Sequence, residues 1–349
     1  MNHDIDIKKT RINCYRQSKI KGEFMLQLRA PGGTLDAKYL ALVQHVCQTW
    51  GNGMFHFGIR QCFNVPGIKY ENIPQVNAYI KEYIEGVEKG VCDVAMEDTD
   101  NGFPTIGARN IMSCIGNYHC IKANVNTFAL ARKIEPLIFP SNYHVKIAIA
   151  GCPNDCGKAH FNDFGLIGIA KMEYHQERCI GCGSCVDACS HHATGVLKLN
   201  SFNKIDKDEC CCVGCGECTL ICPTSAWTRL PTKFFRVLLG ARTGKQEARM
   251  GKTFMLWVTE DVILQLFANW SKFSAWALDY RPEYLHGGHL IDRAGYRKFM
   301  EIILDGVTFN PEAKVADNIF WAETEYRRDI HLKPLSEHKK AGPGAYAHA

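Results

Sequence analysis

The sequence contains no long apolar run, no block of like charges and no apolar segment close to its first residue. No stretch approaches the roughly 18 apolar residues that a bilayer-spanning helix needs. The beginning, MNHDIDIKKTR, is charged where a signal peptide would be apolar. The net charge of +5 is scattered among acidic residues, which is weak evidence for nucleic-acid binding. We therefore expect a cytoplasmic protein.

The sequence also lacks the glycine pattern G-x-G-x-x-G of dinucleotide-binding folds, so we expect it to bind neither NADH nor flavin. The stretch GARTGKQEARMGK (240–252) is not a P-loop, because its glycine spacing is one residue short and no Ser or Thr follows the lysine.

Cysteine is abundant, with 18 residues in a chain of 349. Disulfides are rare in a reducing compartment, so metal ligation explains this number better. Ten of the cysteines lie within residues 171–230, a segment with few long apolar side chains. So short a segment buries too little apolar surface to fold by itself, which predicts that bound metal holds it together.

Two cysteine runs in this segment, CIGCGSCVDAC (179–189) and CVGCGECTLICP (212–223), share the spacing C-x2-C-x2-C-x3-C. This repeat is typical of two-cluster bacterial ferredoxins, in which the fourth cysteine of each run binds the cluster of the other. The predicted ligand sets are Cys179, Cys182, Cys185 and Cys222 for one [4Fe–4S] cluster, and Cys212, Cys215, Cys218 and Cys189 for the other. Zinc sites seldom repeat this spacing. Only the spacing selects Cys212 over its neighbours Cys210 and Cys211. Cys210 or Cys211 as the ligand in place of Cys212 therefore stays an open alternative.

Two further pairs, outside these runs, have wider spacings. CIGNYHC contains Cys114 and Cys120 as C-x5-C, and CPNDC contains Cys152 and Cys156 as C-x3-C. Each pair ends a strand-like stretch and includes Gly or Pro, so the backbone can bend around an inorganic group. Four thiolates suit a third [4Fe–4S] cluster, and four unliganded buried cysteines are the alternative. The isolated cysteines are predicted to be core residues: Cys14, Cys47, Cys62 and Cys92.

Apolar periodicity predicts alternating strands and helices on both sides of the cysteine-rich segment. The predicted strands cover 21–30, 54–68 and 145–152, and the predicted helices cover 35–50, 76–89, 125–139 and 293–306.

The C-x5-C and C-x3-C pairs together resemble the siroheme–[4Fe–4S] site of the sulfite and nitrite reductases. LRAPGG (28–33), IRQ (59–61), GARN (107–110) and GARTGKQEARMG (240–251) match this family in the same order. A ferredoxin segment after GCPNDC is similar to the dissimilatory-type reductases. The resemblance covers nearly the whole chain.

The resemblance implies a mixed α+β and α/β protein with an inserted module. The implied parts are a ferredoxin-like N-terminal half-domain at 1–92, a siroheme–[4Fe–4S] domain formed by 93–170 and 231–334, and a two-[4Fe–4S] ferredoxin module at 171–230. Separately, the polar composition of 335–349, with its Gly and Pro, predicts a disordered tail.

The function implied by the resemblance is the six-electron reduction of sulfite to sulfide. In this family the last cysteine of C-x3-C, here Cys156, bridges the cluster and the siroheme iron, and the two ferredoxin-type clusters feed it. Nitrite reduction and a non-catalytic electron-transfer subunit are the alternatives. The implied partners are iron–sulfur and flavin/NADH electron-donor subunits, in a homodimer or a larger complex.

Positive side chains at family positions are predicted to bind the anions. Arg60, Arg109 and Lys146 match the family positions that hold the oxyanion. Arginine suits this role because it stays charged and offers a planar fork of hydrogen-bond donors. His144 stands where the family often has a second lysine, and a histidine there could donate protons near neutral pH. The residues implied to face the siroheme carboxylates are Arg242, Lys245, Arg249 and Lys252, for which an exposed basic loop is the alternative.

Overall fold

The computed structural model describes residues 14–93, 110–138, 144–242, 248–281 and 285–319. Arg109, Lys245 and the predicted tail at 335–349 lie outside these residues. Within them, no helix is both long and apolar enough to cross a membrane.

The N-terminal part forms a four-stranded antiparallel sheet in the order β1-β2-β4-β3. Its strands are β1 (Tyr15–Gln17), β2 (Glu23–Arg29), β3 (His56–Gly58) and β4 (Cys62–Lys69). Two helices accompany the sheet, α1 (Lys38–Thr49) and α2 (Ile73–Tyr83), and a π-helical stretch (Ile84–Lys89) continues α2. The predicted single strand at 54–68 is a hairpin, whose turn contains Arg60 and Gln61.

The second sheet has six strands in the order β14-β13-β12-β7-β6-β5. Its strands are β5 (Met112–Ser113), β6 (Ile147–Ala150), β7 (Phe164–Ile169), β12 (Phe234–Leu239), β13 (Lys252–Val258) and β14 (Lys314–Val315). The pairs β5–β6 and β6–β7 are parallel, and the other pairs are antiparallel. All residues of β6 and β7 are buried, as expected for central strands covered on both faces.

The cysteine-rich segment leaves this sheet between two neighbouring antiparallel strands. Ile169 at the end of β7 pairs with Phe234 at the start of β12, so a short turn would suffice to connect them. Residues 170–233 replace that turn. They begin and end with a two-stranded stem, in which β8 (Met172–Tyr174) pairs with β11 (Trp227–Arg229). The segment is therefore an excursion from one hairpin.

The excursion has a small apolar core of its own, around Met172, Leu197, Ile205 and Trp227. It contains β9 (Leu197–Leu199), β10 (Ile205–Lys207), α5 (Ser184–His192) and α6 (Glu217–Ile221). In contrast, one continuous apolar core includes both Leu26 of the first sheet and Ile147 of the second. Cys14, Cys47, Cys62 and Cys92 are buried in the core, as predicted.

The remaining helices lie outside the excursion. They are α3 (Gly116–His119), α4 (Thr127–Ile138), α7 (Glu260–Ala277), α8 (Gly287–Ala294) and α9 (Tyr296–Ile303). The predicted helix at 293–306 is divided by Gly295, whose φ of 81° ends α8 before α9 begins. Glycine adopts this conformation without a steric penalty, so the chain turns there.

A buried ion cluster joins the first sheet to α4. The guanidinium of Arg29, at the end of β2, contacts Glu88 at 2.5 Å and Glu135 of α4 at 2.9 Å. The Tyr83 hydroxyl donates to the Arg29 carbonyl oxygen. Burial alone would lower the pKa of Arg29, but the two carboxylates outweigh it and hold the pKa well above its ordinary value. The cluster therefore fixes α4 against the first sheet.

We predict that Arg29→Ala markedly lowers the thermal unfolding midpoint. Removing the cation leaves two buried carboxylates close together, and breaking a buried pair in this way costs about 3–5 kcal/mol. Lys298→Ala is the control, because its pair with Glu301 is exposed and exposed pairs contribute less than about 1 kcal/mol. Equal midpoints for the two variants would show that the cluster does not stabilise the fold.

Candidate active site

The turn of the first hairpin docks onto the strand that leads to Cys114. The Asn110 amide donates to the carbonyl oxygens of Ala30 (3.0 Å), Arg60 (2.7 Å) and Gln61 (3.2 Å). Gln61 also pairs twice with the main chain of Ser113, at 2.7 and 2.9 Å. Segments of the predicted motifs LRAPGG, IRQ and GARN therefore meet at one junction, which sets the position of β5.

The wider-spaced cysteines converge at one edge of the second sheet. Because β5 and β6 are parallel and pair as Ser113 with Ile149, Cys114 and Gly151 follow at neighbouring strand ends. The Gly151 N–H donates to the Cys114 sulfur at 3.1 Å. Burial raises the pKa of Cys152, and the nearby thiols of this group, including Cys120 and Cys156, raise it further.

These four cysteines fit the predicted cluster site. A buried thiol such as that of Cys152, whose pKa is raised, would become a thiolate next to a cation, which a bound iron–sulfur cluster supplies. Cys152 is buried whereas Cys156 is exposed. Cys156 is therefore the member that can reach a second group outside the cluster.

A tight turn holds Cys156. Asp155 has a φ of 48°, and its carboxylate accepts from the Ala159 N–H and lies 2.6 Å from His160 Nδ1. The His160 carbonyl oxygen accepts from the Gly251 N–H at 2.7 Å. The end of the predicted basic loop consequently lies beside the turn that contains Cys156.

Two arginines of the basic loop are held by a carboxylate that the sequence did not single out. Asp292 of α8 binds Arg242 at 2.9 Å and Arg249 at 2.8 Å, and the two arginines pair through their main chains. Lys252 is exposed at the start of β13, and Lys245 lies outside the described residues. No local motif marks Asp292, because its partners are more than 40 residues away in the chain.

Arg60 is anchored within the protein. Its guanidinium donates to the carbonyl oxygens of Asn110 (3.2 Å) and Ile147 (2.9 Å) and to Oδ1 of Asn162 (2.8 Å). Burial lowers its pKa to about 10, which leaves it protonated at neutral pH. The predicted anion-binding arginine therefore also holds the first hairpin against the second sheet.

His144 and Lys146 flank a buried carboxylate. The Lys146 N–H donates to Asp163 Oδ2 at 2.8 Å. The imidazole of His144 is buried and lies against that of His286, with ring centroids 5.0 Å apart. Sequence reasoning did not identify Asp163 or His286, which belong to separate elements and carry no local motif.

The cysteines of the excursion gather in two recesses. One recess is lined by Cys179, Cys182, Cys185 and Cys222, and the other by Cys189, Cys212, Cys215 and Cys218. These are the two predicted sets, each with three cysteines from one run and one from the other. Of the three adjacent cysteines at 210–212, Cys212 lines the second recess, whereas Cys210 and Cys211 are exposed.

Each cysteine run contributes its fourth cysteine to the recess of the other run, and this follows from helix geometry. Cys185 and Cys189 are four residues apart on α5, so they lie on one helix face, one turn apart. Cys218 on α6 and Cys222 just beyond it repeat this spacing. Each short helix thus contributes one cysteine to each recess. Burial, reinforced by the Cys215 and Cys212 thiols, raises the pKa of Cys218 to about 12.

The second recess lies next to the four cysteines at the sheet edge. The Asn124 side-chain amide donates to the Gly214 carbonyl oxygen at 3.2 Å. The main-chain N–H of Asn124 donates to the Gly151 carbonyl oxygen at 2.7 Å. Lys122 forms an ion pair of 2.7 Å with Glu217 of α6. These contacts join the loops of Cys120, Cys152 and Cys215.

Clustered cysteines at parallel strand ends, with a basic loop beside them, define an iron–sulfur oxidoreductase. Residues 106–309 match the nitrite and sulphite reductase 4Fe-4S domain, and residues 15–83 match the nitrite/sulfite reductase ferredoxin-like half domain. The chain belongs to the nitrite and sulphite reductase family. The predicted family is confirmed, as are its ferredoxin-like half-domain and reductase fold.

The relatives extend over most of the chain. It is 51% identical to a subunit of the anaerobic sulfite reductase of Salmonella typhimurium, over 96% of this chain and 99% of that protein. It is 26% identical to the coenzyme F420-dependent sulfite reductase of Methanocaldococcus jannaschii, over 80% of this chain and 42% of that protein. The crystal structure of dissimilatory sulfite reductase I shares the fold, with a TM-score of 0.57 and 19% identity over 91% of this chain and 78% of that one.

We predict that Arg60→Lys destabilises the protein although it keeps the charge. An ammonium lacks the planar fork, so the acceptors of the guanidinium lose their donors, and a hydrogen bond to a charged group is worth about 1.5–3 kcal/mol. The thermal unfolding midpoint should fall below that of Lys198→Ala, an exposed control in β9. An unchanged midpoint would mean that these contacts do not hold the junction.

Proposed function

We propose that this chain is the catalytic subunit of a sulfite reductase and reduces sulfite to sulfide with six electrons. The observation that carries this proposal is the set Cys114, Cys120, Cys152 and Cys156, of which only Cys156 is exposed, beside a basic loop. The near-complete match to a protein named as an anaerobic sulfite reductase component supports sulfite as the substrate.

The proposed cofactors of the site are a siroheme and a coupled [4Fe–4S] cluster. The four cysteines at the sheet edge would hold the cluster, and Cys156 would bridge it to the siroheme iron. The side chains proposed to face the siroheme carboxylates are Arg242, Lys245, Arg249 and Lys252. When bound, the coupled pair delivers electrons to the substrate.

We propose two further [4Fe–4S] clusters in the excursion, which brings the total to three. Residues 171–230 would then be a ferredoxin module inserted between 93–170 and 231–334, with 1–92 as the half-domain. The contacts of Asn124 and the Lys122–Glu217 ion pair support the recess of Cys215 as the one nearer to the siroheme site. Electrons would enter at the other recess, where Cys182 is exposed.

The chain's own side chains would bind and orient the substrate. Arg109 and Lys146 supply positive charge for an oxyanion, and Arg60 contributes its charge from an anchored position. His144 supplies a proton near the reacting oxygen. The Lys146 main chain is fixed by Asp163, so the point from which its side chain extends is set before the anion arrives.

Partner subunits complete the proposed enzyme. Electron-donor subunits that carry iron–sulfur and flavin/NADH cofactors would supply the electrons, and the chain would work as a homodimer or in a larger complex. The name of the Salmonella typhimurium relative, which is that of a subunit, supports such an assembly.

We predict about 13 iron atoms per chain, four for each of three clusters and one for siroheme. Cys212→Ser should lose roughly four of them, whereas Cys211→Ser should keep all, because Cys212 lines the recess and Cys211 is exposed outside it. Iron analysis and the absorption spectrum measure both. About eight iron atoms without haem absorption would instead favour an electron carrier.

We predict that Cys156→Ser abolishes sulfite reduction and changes the siroheme spectrum. The clusters of the excursion should keep their paramagnetic signals, because their ligands belong to a separate stem-bounded segment. Cys210→Ser, an exposed cysteine outside the recess, is the control. Turnover is measured with sulfite and with nitrite, using reduced viologen as donor. Normal sulfite turnover in Cys156→Ser would refute the bridge, and a preference for nitrite would refute the substrate.

A further inference from the structure

A buried carboxylate faces two histidines at the candidate active site. Asp163 is 1% exposed and precedes β7, His144 lies just before β6, and His286 lies just before α8. One ligand-type atom from each of the three side chains lies within 4.8 Å of those of the other two. Three separate elements therefore bring their titratable groups to one point.

Asp163 is fixed in place and charged. Its Oδ2 accepts from the Lys146 N–H, and its main-chain carbonyl oxygen accepts from the Gly240 N–H at 2.9 Å. Its Oδ1 has no hydrogen-bond partner among the described residues and lies 3.7 Å from His286 Nδ1. Burial acts to raise the pKa of Asp163, but His286 and His144 outweigh it and keep the pKa below its ordinary value.

The two histidines differ in their access to water. The His286 side chain is 20% exposed, whereas His144 is 1% exposed. Gly287 allows α8 to press against Asp163, since a Cβ there would lie 3.0 Å from the Asp163 Cβ and from the Trp270 ring. The partly exposed imidazole of His286 and the buried imidazole of His144 thus lie close to the same carboxylate, that of Asp163.

The surrounding charges are mostly positive. The positive charge of Arg60, in the turn of the first hairpin, interacts electrostatically with the Asp163 carboxylate. On α8, the His289 ring lies 6.1 Å from that of His286, and the Arg242–Asp292–Arg249 cluster follows. A second buried proton would therefore be repelled, and one carboxylate can balance only one imidazolium.

We propose that His144, Asp163 and His286 form a proton store that reloads His144 during turnover. The proposal rests on the proposed function, because HSO3− + 6 e− + 6 H+ → HS− + 3 H2O consumes about one proton for each electron. His286 takes a proton from water and passes it along the Asp163 carboxylate to His144. His144 gives the proton to a substrate oxygen, and the store returns to its starting charge. Two such transfers, together with two electrons, release each oxygen as water.

A metal ion is the competing occupant, since two histidines and a carboxylate also suit zinc. The positive charge of Arg60 beside Asp163 opposes a dication at this point. A bound metal would also block the lone pairs that a proton relay needs. Metal analysis of the purified protein therefore separates the two.

The test is the pH profile of sulfite turnover by the complete, cofactor-loaded protein with reduced viologen as donor. In Asp163→Asn the loss of negative charge disfavours protonated His144, so the fall of activity at high pH should begin about one pH unit lower. His286→Gln should lower kcat roughly tenfold, less than the 10²–10⁴ typical of a direct proton donor, with an unchanged KM for sulfite. His289→Gln, from the same helix, should resemble the wild type.

A second readout does not depend on activity. The siroheme absorption bands are titrated with pH in each variant, and their midpoint should move down in Asp163→Asn and stay unchanged in His289→Gln. Because His286 is partly exposed, His286→Gln tests the relay even if Asp163→Asn fails to fold. Failure of the wild type to reduce sulfite would refute the proposed function, and the titration would still test the store.

The proposal is overturned if fully loaded Asp163→Asn and His286→Gln keep the wild-type pH profile and titration midpoint. It is also overturned if the purified protein contains one zinc ion per chain that Asp163→Asn loses. A shift of equal size in His289→Gln would mean that any imidazole on α8 has this effect, and would equally refute the assignment.

Discussion

The parallel pairing of β5 with β6 is the contact on which the site depends. It ends both strands at one edge of the sheet, so Cys114 and Cys152 arrive side by side although 38 positions separate them in the chain. β5 has only two residues and cannot hold this register through its own hydrogen bonds. The contacts of Gln61 and Asn110 supply the missing support. The N-terminal half-domain is therefore part of the cysteine site.

The hairpin excursion explains how a cysteine-rich segment coexists with this arrangement. Its stem, β8 with β11, follows directly on the antiparallel pair β7 and β12, so the segment interrupts no strand of the main sheet. Its own core is small, which agrees with a segment that metal must hold together. Asn124 and Lys122 then fix the segment against the cysteine loops of the sheet edge. Side chains outside the segment thus help to set its position relative to the cysteines of the sheet edge.

The sequence could predict those parts of the site that depend on residue spacing within short stretches. The repeated spacing of the two cysteine runs predicted both four-residue sets, because in two-cluster ferredoxins the fourth cysteine of each run binds the cluster of the other. The buried strand at Ile147–Ala150 was predicted from its apolar run. Asp163, His286 and Asp292 were missed because each meets its partners only through tertiary folding. The break at Gly295 was missed because the apolar pattern continues across it.

Three arginines of the candidate active site are held by groups that fix their positions. Asp292 joins Arg242 to Arg249, and Arg60 is bound to main-chain and amide oxygens. Positive charge of this kind is oriented before an anion binds, so little reorganisation is needed. The charges of Arg242 and Arg249 are also partly neutralised by Asp292, which limits how tightly an anionic product is retained. A reductase that must release its product benefits from both properties.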